Sequence, residues 1–310
     1  MFESGFDLEG ALVSGNDLII NYEDDTETEY TMTVTDHLNG AALYQLGFYE
    51  EQGDFEFYRV AIITDATAET ADMFMAGTIG NDTITGGDGD DLIFGNEGDD
   101  NLTGGLGDDW FRGGGGNDTI DGGDNGAEVD TVSYFDADGA VTVDLGIQDG
   151  TTSQPVGGGM GDDILIGIEN IEGSDFDDIF IGDAAANFID GDYGNDTITG
   201  GAGNDTLTGG GGSDTFIYQS GDSGVDIIKD FQGYNGGDVL DLTLLTNAVD
   251  GDSIGSFFNL VEADGNTTVQ VDADGVGQDY VDVVTLEGET GLDLTNMEND
   301  GNIVWTTPET

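Results

Sequence analysis

No cysteine occurs in the 310 residues, so a disulfide framework and a zinc–thiolate site are both excluded. Basic residues are almost as scarce: 3 Lys and Arg stand against 67 Asp and Glu, a formal charge of −64. A surface with so few cations cannot neutralise phosphates, which removes nucleic acid and anionic membrane faces as partners. The one histidine, His37, sits in a different segment from the protease-like string GDSG at 221–224, and no H-E-x-x-H string occurs. Neither a serine triad nor a zinc protease is therefore expected. No apolar run reaches the ~18–20 residues that cross a bilayer, so no membrane insertion is expected. MFESGFDLEG, the first ten residues, has neither the basic stretch nor the apolar stretch of a secretory signal peptide.

Glycine is abundant instead, with 55 residues against 2 prolines, which points to many tight turns. The charge density works against compaction, yet the hydrophobic content of 36% is ordinary, unlike that of a disordered acidic tail. Cations are the natural partner of such a chain.

A period of nine organises the middle. From Gly77 five units run in strict register: GTIGNDTIT, GGDGDDLIF, GNEGDDNLT, GGLGDDWFR and GGGGNDTID. A sixth, GGDNGAEVDTVS, carries three extra residues but keeps Asp130 and Val132. A second block opens with GGGMGDDILI, passes through an irregular GIENIE, and continues as GSDFDDIFI, GDAAANFID, GDYGNDTIT, GGAGNDTLT and GGGGSDTFI, ending at Ile217. Glycines at the first, second and fourth positions permit positive φ and a close approach of carbonyl oxygens. The sixth position supplies a hard anionic oxygen in each turn: Asp82, Asp91, Asp100, Asp109, Asp118, Asp163, Asp178, Asp196, Asp205 and Asp214. The eighth is always apolar, from Ile84 and Ile93 to Leu207 and Phe216, and one inward apolar residue between polar neighbours makes a three-residue strand.

These units resemble the RTX family, whose G-G-x-G-x-D-x-U-x repeats form a parallel β-roll that binds Ca²⁺. The resemblance covers 77–133 and 158–217. It implies that each ion lies between unit n and unit n+2, held by aspartates and turn carbonyls. Asp82 would then pair with Asp100, Asp91 with Asp109, Asp100 with Asp118, Asp178 with Asp196, and Asp196 with Asp214. Backbone oxygens of Gly87, Gly89, Gly105, Gly107, Gly114, Gly116, Gly201, Gly203, Gly210 and Gly212 would complete the shells. Asn187 replaces aspartate in a unit whose glycines have become alanines, so its site is expected to be the weakest, and that of Asp130 is also doubtful. About eight Ca²⁺ ions are expected, on oxygen ligands that suit calcium better than zinc or copper.

The expected architecture is all-β: an N-terminal β-rich unit over 1–76, roll blocks at 77–133 and 158–217, a strand and loop at 134–157, and a C-terminal region over 218–310. In the first unit Tyr30, Met32 and Val34 alternate, as do Tyr44, Leu46 and Phe48, and FEFYRVAII spans 55–63. Val141, Val143 and Leu145 alternate in the middle insertion. The D-x-I-x-D-F and G-D-x-L-D-L strings after residue 218 resemble the C-terminal target region of type I secreted RTX adhesins and exoproteins. That resemblance implies an apolar cap, an uncleaved export signal read by type I secretion machinery, and an extracellular or cell-surface location.

The Asn-Asp-Thr triplets arise from the repeat itself and are not read as glycosylation sites. The DADG strings at 136–139 and 272–275 lack EF-hand spacing and read as turns. The favoured function is a calcium-binding module that folds after export. The alternative is Ca²⁺-dependent binding of a polysaccharide or cell surface, with Trp110 as a stacking residue. No nucleophile–base or acid–base constellation supports an enzyme.

Overall fold

The computed structural model describes residues 7–14, 17–23, 29–34, 74–123, 129–233, 237–246 and 252–305. Asp7–Ser14, Asp17–Glu23 and Glu29–Val34 form a three-stranded antiparallel sheet. The alternations at 44–48 and 55–63 lie outside the described residues.

From Phe74 onward the nine-residue period sets the architecture. The units contribute short strands with one inward apolar residue, buried in Thr206–Thr208 at Leu207 and half-buried at Ile84 in the first unit. The turn that follows sends the chain to the opposite face, so unit n pairs with unit n+2. Thr83 lies beside Asn101 and Leu92 beside Trp110, both in parallel strands. The result is a parallel β-roll. Two sheets face each other across a row of apolar side chains, and Ile93, Leu102, Phe111, Ile120, Phe180, Ile189, Ile198 and Phe216 are fully buried.

One face of the roll is a single eleven-stranded sheet. It begins at Phe74–Ala76 and passes through Trp110–Gly115, Thr131–Ser133, Asn170–Glu172 and Asp226–Ile228 to Val281–Leu286. The opposite face is divided into a five-stranded sheet ending near Asp162–Ile166 and a six-stranded sheet beginning at Thr142–Asp144. Residues 134–157 therefore interrupt one face only. On the other, Thr131–Ser133 pairs directly with Asn170–Glu172, so the irregular GIENIE segment supplies a regular strand with Ile171 buried.

The strands run on past Ile217. Val239–Asp241 pairs with Thr215–Ile217, and Ile303–Val304 pairs in turn with Val239–Asp241. An antiparallel hairpin, Phe258–Ala263 with Asn266–Val271, joins the edge of the eleven-stranded sheet. The short helices Ile254–Phe257 and Leu294–Asp300 and the buried Trp305, whose ring lies 5.7 Å from those of Phe257 and Phe258, close this end. The helix Leu294–Asp300 starts on Asp293, whose carboxylate accepts from Asn296 N, and stops at Gly301 in the left-handed region.

Close stacking of turns explains the glycines. Gly105 has φ +127°, and a Cβ there would collide with the carbonyl oxygen of Gly87 two units earlier. Only glycine satisfies both conditions.

Candidate metal centres along the roll edges

The stacking aligns the sixth-position side chains along the two edges of the roll. On one edge Asp82 N–H donates to Asp100 Oδ1 (2.7 Å), Asp100 N–H to Asp118 Oδ1 (2.8 Å) and Asp118 N–H to Asp163 Oδ1 (3.0 Å). On the other, Asp91 N–H donates to Asp109 Oδ1 and Asp109 N–H to Asp130 Oδ1, each at 2.8 Å. The second block repeats the arrangement from Asp178 to Asp196 (2.8 Å), Asp196 to Asp214 (2.9 Å) and Asn187 to Asp205 (2.9 Å). Every pairing expected from the n to n+2 register is thus brought together.

One oxygen of each carboxylate is fixed by a backbone N–H. The other Oδ2 of Asp100, Asp109, Asp118, Asp196, Asp205 and Asp214 is buried with no hydrogen-bond partner. A buried, unpaired carboxylate is among the costliest groups a fold can contain. Burial, joined by the charges of neighbouring aspartates, pushes Asp100 and Asp214 up to about 6, Asp109 to about 7, and Asp118 and Asp196 to about 8. Among the described residues, neither basic side chain is directed to them. Of the protein's three basic residues, the two described are paired elsewhere, Arg112 with Asp136 and Lys229 with Glu287.

Carbonyl oxygens of first-position glycines lie beside the ladder carboxylates. A Cβ at Gly95 would meet both Asp100 Oδ2 and Gly113 O, and one at Gly104 both Asp109 Oδ2 and Gly122 O. Further turn carbonyls are closely stacked. The Cα atoms of Gly105 and Gly107 sit against Gly87 O and Gly89 O, and those of Gly114 and Gly116 against Asn96 O and Gly98 O. In the second block Gly201 and Gly203 lie against Asp183 O and Ala185 O, and Gly210 and Gly212 against Asp192 O and Gly194 O. Some of these carbonyls also accept an N–H, as Gly87 O does from Leu106 N (2.9 Å), which leaves a second lone pair. Anionic and carbonyl oxygens with no nitrogen or sulfur fit a hard divalent cation of calcium's size.

Five sixth-position residues are satisfied by the protein itself. Asp82 Oδ2 accepts from the Thr78 hydroxyl (2.6 Å) and Asp91 Oδ2 from Gly87 N (2.8 Å). Asn187 Oδ1 accepts from Asp183 N (2.9 Å) and its Nδ2 donates to Glu169 O (2.8 Å), so an amide N–H stands where its neighbours offer a bare oxygen. Asp163 Oδ2 accepts from the Tyr134 hydroxyl (3.1 Å). Asp178 accepts from Val141 N and from Ser174 N and Oγ.

Three further residues occupy ladder positions without having been expected there. Asp130 N–H donates to Glu169 Oε2 (2.9 Å), Asp205 N–H to Asp226 Oδ1 (3.0 Å) and Asp214 N–H to Asp238 Oδ1 (3.0 Å). Glu169 follows a shortened turn, Gly167-Ile168, and its longer side chain reaches where an aspartate otherwise stands. The signal was an acidic residue two before a buried apolar one: Glu169 before Ile171, Asp226 before Ile228, Asp238 before Leu240. The fifth positions make a second, exposed ladder, with Asp99 N–H on Asn81 Oδ1 (3.1 Å) and Asn117 N–H on Asp99 Oδ1 (2.9 Å). That role accounts for Asn81 and Asn117, two of the asparagines in the Asn-Asp-Thr triplets. At 272–275 Asp272 accepts from Gly275 N (3.1 Å) and Gln278 N (3.2 Å), which closes a turn.

Stacked nonapeptides with aligned aspartates on both edges define a calcium-binding β-roll. A family model of the RTX calcium-binding nonapeptide repeat matches in four copies, over 74–102, 94–125, 166–192 and 190–228. The chain thus carries RTX calcium-binding nonapeptide repeats. No curated protein matches the chain. Among solved structures, the extracellular lipase LipA from Serratia marcescens is 19% identical over 76% of this chain and 40% of the lipase, with a TM-score of 0.25. The AlgE6R3 subunit of the Azotobacter vinelandii mannuronan C5-epimerase is 20% identical over 76% of this chain and 80% of the subunit, with a TM-score of 0.18. The chain thus spans two fifths of the lipase's length, and both likenesses are distant. No helix among the described residues is long and apolar enough to cross a membrane.

Proposed function

We propose that the chain is a calcium-driven folding module of an exported protein: the aspartate ladders hold about eight Ca²⁺ ions, and the roll assembles only when they are held. The observation that carries this reading is the row of buried carboxylate oxygens without partners. Each rung combines sixth-position aspartates of units n and n+2 with carbonyls of the facing turns, including those of Gly87, Gly89, Gly105, Gly107, Gly114, Gly116, Gly201, Gly203, Gly210 and Gly212. Asp82, Asp91, Asp130, Asp163, Asp178 and Asp205 serve in the same ladders, with Asn187 the weakest member. When bound, the ion supplies the positive charge that these facing carboxylates lack.

Two substitutions test the register. Asp100 faces neighbours on both sides, so Asp100→Ala should raise the calcium midpoint of folding several-fold. Asn187→Ala, at a position already satisfied by Asp183 N and Glu169 O, should raise it much less. Equal shifts in a calcium titration followed by circular dichroism would refute the pairing.

Export follows from the same chemistry. A cytosol poor in free calcium leaves the self-repelling chain extended and fit for a narrow channel, and the calcium of the external medium folds it on arrival. We assign residues 218–310 to capping and to the address read by type I secretion machinery, and the mature chain to the extracellular space or cell surface. Removing residues 261–310 should abolish export while 77–217 still bind calcium. Secretion of the shortened chain by that machinery would overturn the assignment.

A second reading rests on one cluster. Phe94 and Trp110 lie 5.6 Å apart on the outer face of the eleven-stranded sheet, Arg112 stacks over both, and the exposed Phe135 borders it. Aromatic faces beside a guanidinium suit a polysaccharide or cell-surface glycan. Glycan-array binding by the calcium-loaded chain should then fall at least tenfold in Trp110→Ala, and no binding by the parent removes this reading.

A further inference from the structure

The ladder ends in a pair of carboxylates that extends past the last matched repeat residue, 228. Asp214 is 1% exposed; its Oδ1 takes the Asp196 N–H (2.9 Å), and its Oδ2 is buried without a partner. Asp238, also 1% exposed, is the next member of the ladder beyond Asp214. Asp238 already accepts from Asp214 N (3.0 Å) and Gln232 N (2.7 Å), so two buried carboxylates face each other. Asp230, bound to the N–H groups of Gly209 (3.0 Å) and Gly210 (2.7 Å), adds a third negative charge nearby. Lys229, adjacent in sequence, is turned to Glu287.

Asp238 is also where the end of the chain is fastened. Its carbonyl accepts from Asn302 Nδ2 (2.7 Å), Leu240 N–H donates to Asn302 O (2.9 Å), and Leu242 N–H donates to Val304 O (2.7 Å). Trp305 follows, packed on Phe257 and Phe258. Whatever holds Val239–Asp241 against Thr215–Ile217 therefore holds the cap as well. Facing carboxylates drive those strands apart unless a cation lies between them.

We propose that Asp214 and Asp238 form one further calcium site beyond the repeats, and that the ion held there fastens the C-terminal cap to the roll. The proposal rests on the calcium reading of the ladders, and the two can fail separately. Because coupling between two binding events is reciprocal, loosening the cap must weaken this ion alone.

Calcium bound per chain is counted by equilibrium dialysis of the full-length chain, and hydrogen exchange is followed at the Leu242 amide. Asp238→Asn removes one negative charge and keeps one acceptor oxygen, at the loss of one of the two backbone N–H bonds, from Asp214 N or Gln232 N, that the carboxylate accepts. It should bind one ion fewer at saturation, with several-fold faster exchange at Leu242. Asn302→Ala leaves every carboxylate in place, and decides the matter even if Asp238→Asn does not fold. It should keep the full number of ions, with one of them several-fold weaker. An unchanged ion count in folded Asp238→Asn overturns the site, and an unchanged isotherm in Asn302→Ala overturns the fastening. A parent chain that binds no calcium overturns the ladder reading itself.

Discussion

Exhaustive chelation should unfold the roll, and restoring calcium to about 0.1–1 mM should bring its β structure back in one cooperative step. The expectation follows from what each unit contributes. Nine residues are ordered for the burial of one apolar side chain, such as Ile198 or Leu207, and that burial does not offset the entropy lost. Removal of the ions also leaves the buried oxygens of Asp100, Asp109, Asp118, Asp196, Asp205 and Asp214 with no counter-charge. Because each ladder aspartate faces a neighbour on either side, loss at one rung weakens the next, which makes the transition steep. Magnesium should replace calcium poorly, since it gives up water reluctantly and demands an octahedral shell. Far-UV circular dichroism in chelator, then in each ion, is the measurement. Unchanged β signal after complete chelation would sink the claim that binding and folding are one event.

Much of this was legible in the sequence because the repeat is strict where the physics is strict. Gly105 is fixed by positive φ and by Gly87 O, Asp100 by the Asp82 N–H, and Leu102 by the core, so the period of nine shows through. Legibility fails where a ladder position is reached by another route. Glu169 follows a turn shortened to Gly167-Ile168, and the spacing rule misses it although the acidic–x–apolar triplet survives. Asp226 and Asp238 follow longer loops, and their strings, which resemble a capping and secretion-target region, do not show locally that they continue the aspartate ladder. Residues 134–157 were read as a gap between two blocks. Nothing local announces that Thr131–Ser133 pairs across to Asn170–Glu172, because strand pairing is non-local. The protein-satisfied positions were also hidden: Asp163 looks like any other ladder aspartate until Tyr134 is found against it.

Acidification should act in opposite directions on the ion-free and the calcium-loaded chain. Without ions, burial and neighbouring charges hold Asp109 and Asp163 at about 7 and Asp118 and Asp196 at about 8 in the folded roll, against the ordinary 3.8. Asp226, where the ladder continues, is likewise raised to about 7. Between those limits the folded chain binds more protons than the unfolded one, so stability must fall as pH rises. The penalty is complete above about pH 8 and is relieved as pH drops through the folded values toward the unfolded one. In chelator at pH 8 the roll should therefore be unfolded. At pH 5, still above the isoelectric point of 4.1, a substantial part of its β signal should return. The loaded chain reverses the sign. Bound cations hold the same carboxylates ionised, protons compete with them, and the calcium midpoint should rise as pH falls from 8 to 5. Circular dichroism in chelator across that range, and in calcium titrations at each pH, compares the two slopes. Slopes of the same sign would mean that the ladder carboxylates are not where the ions are held.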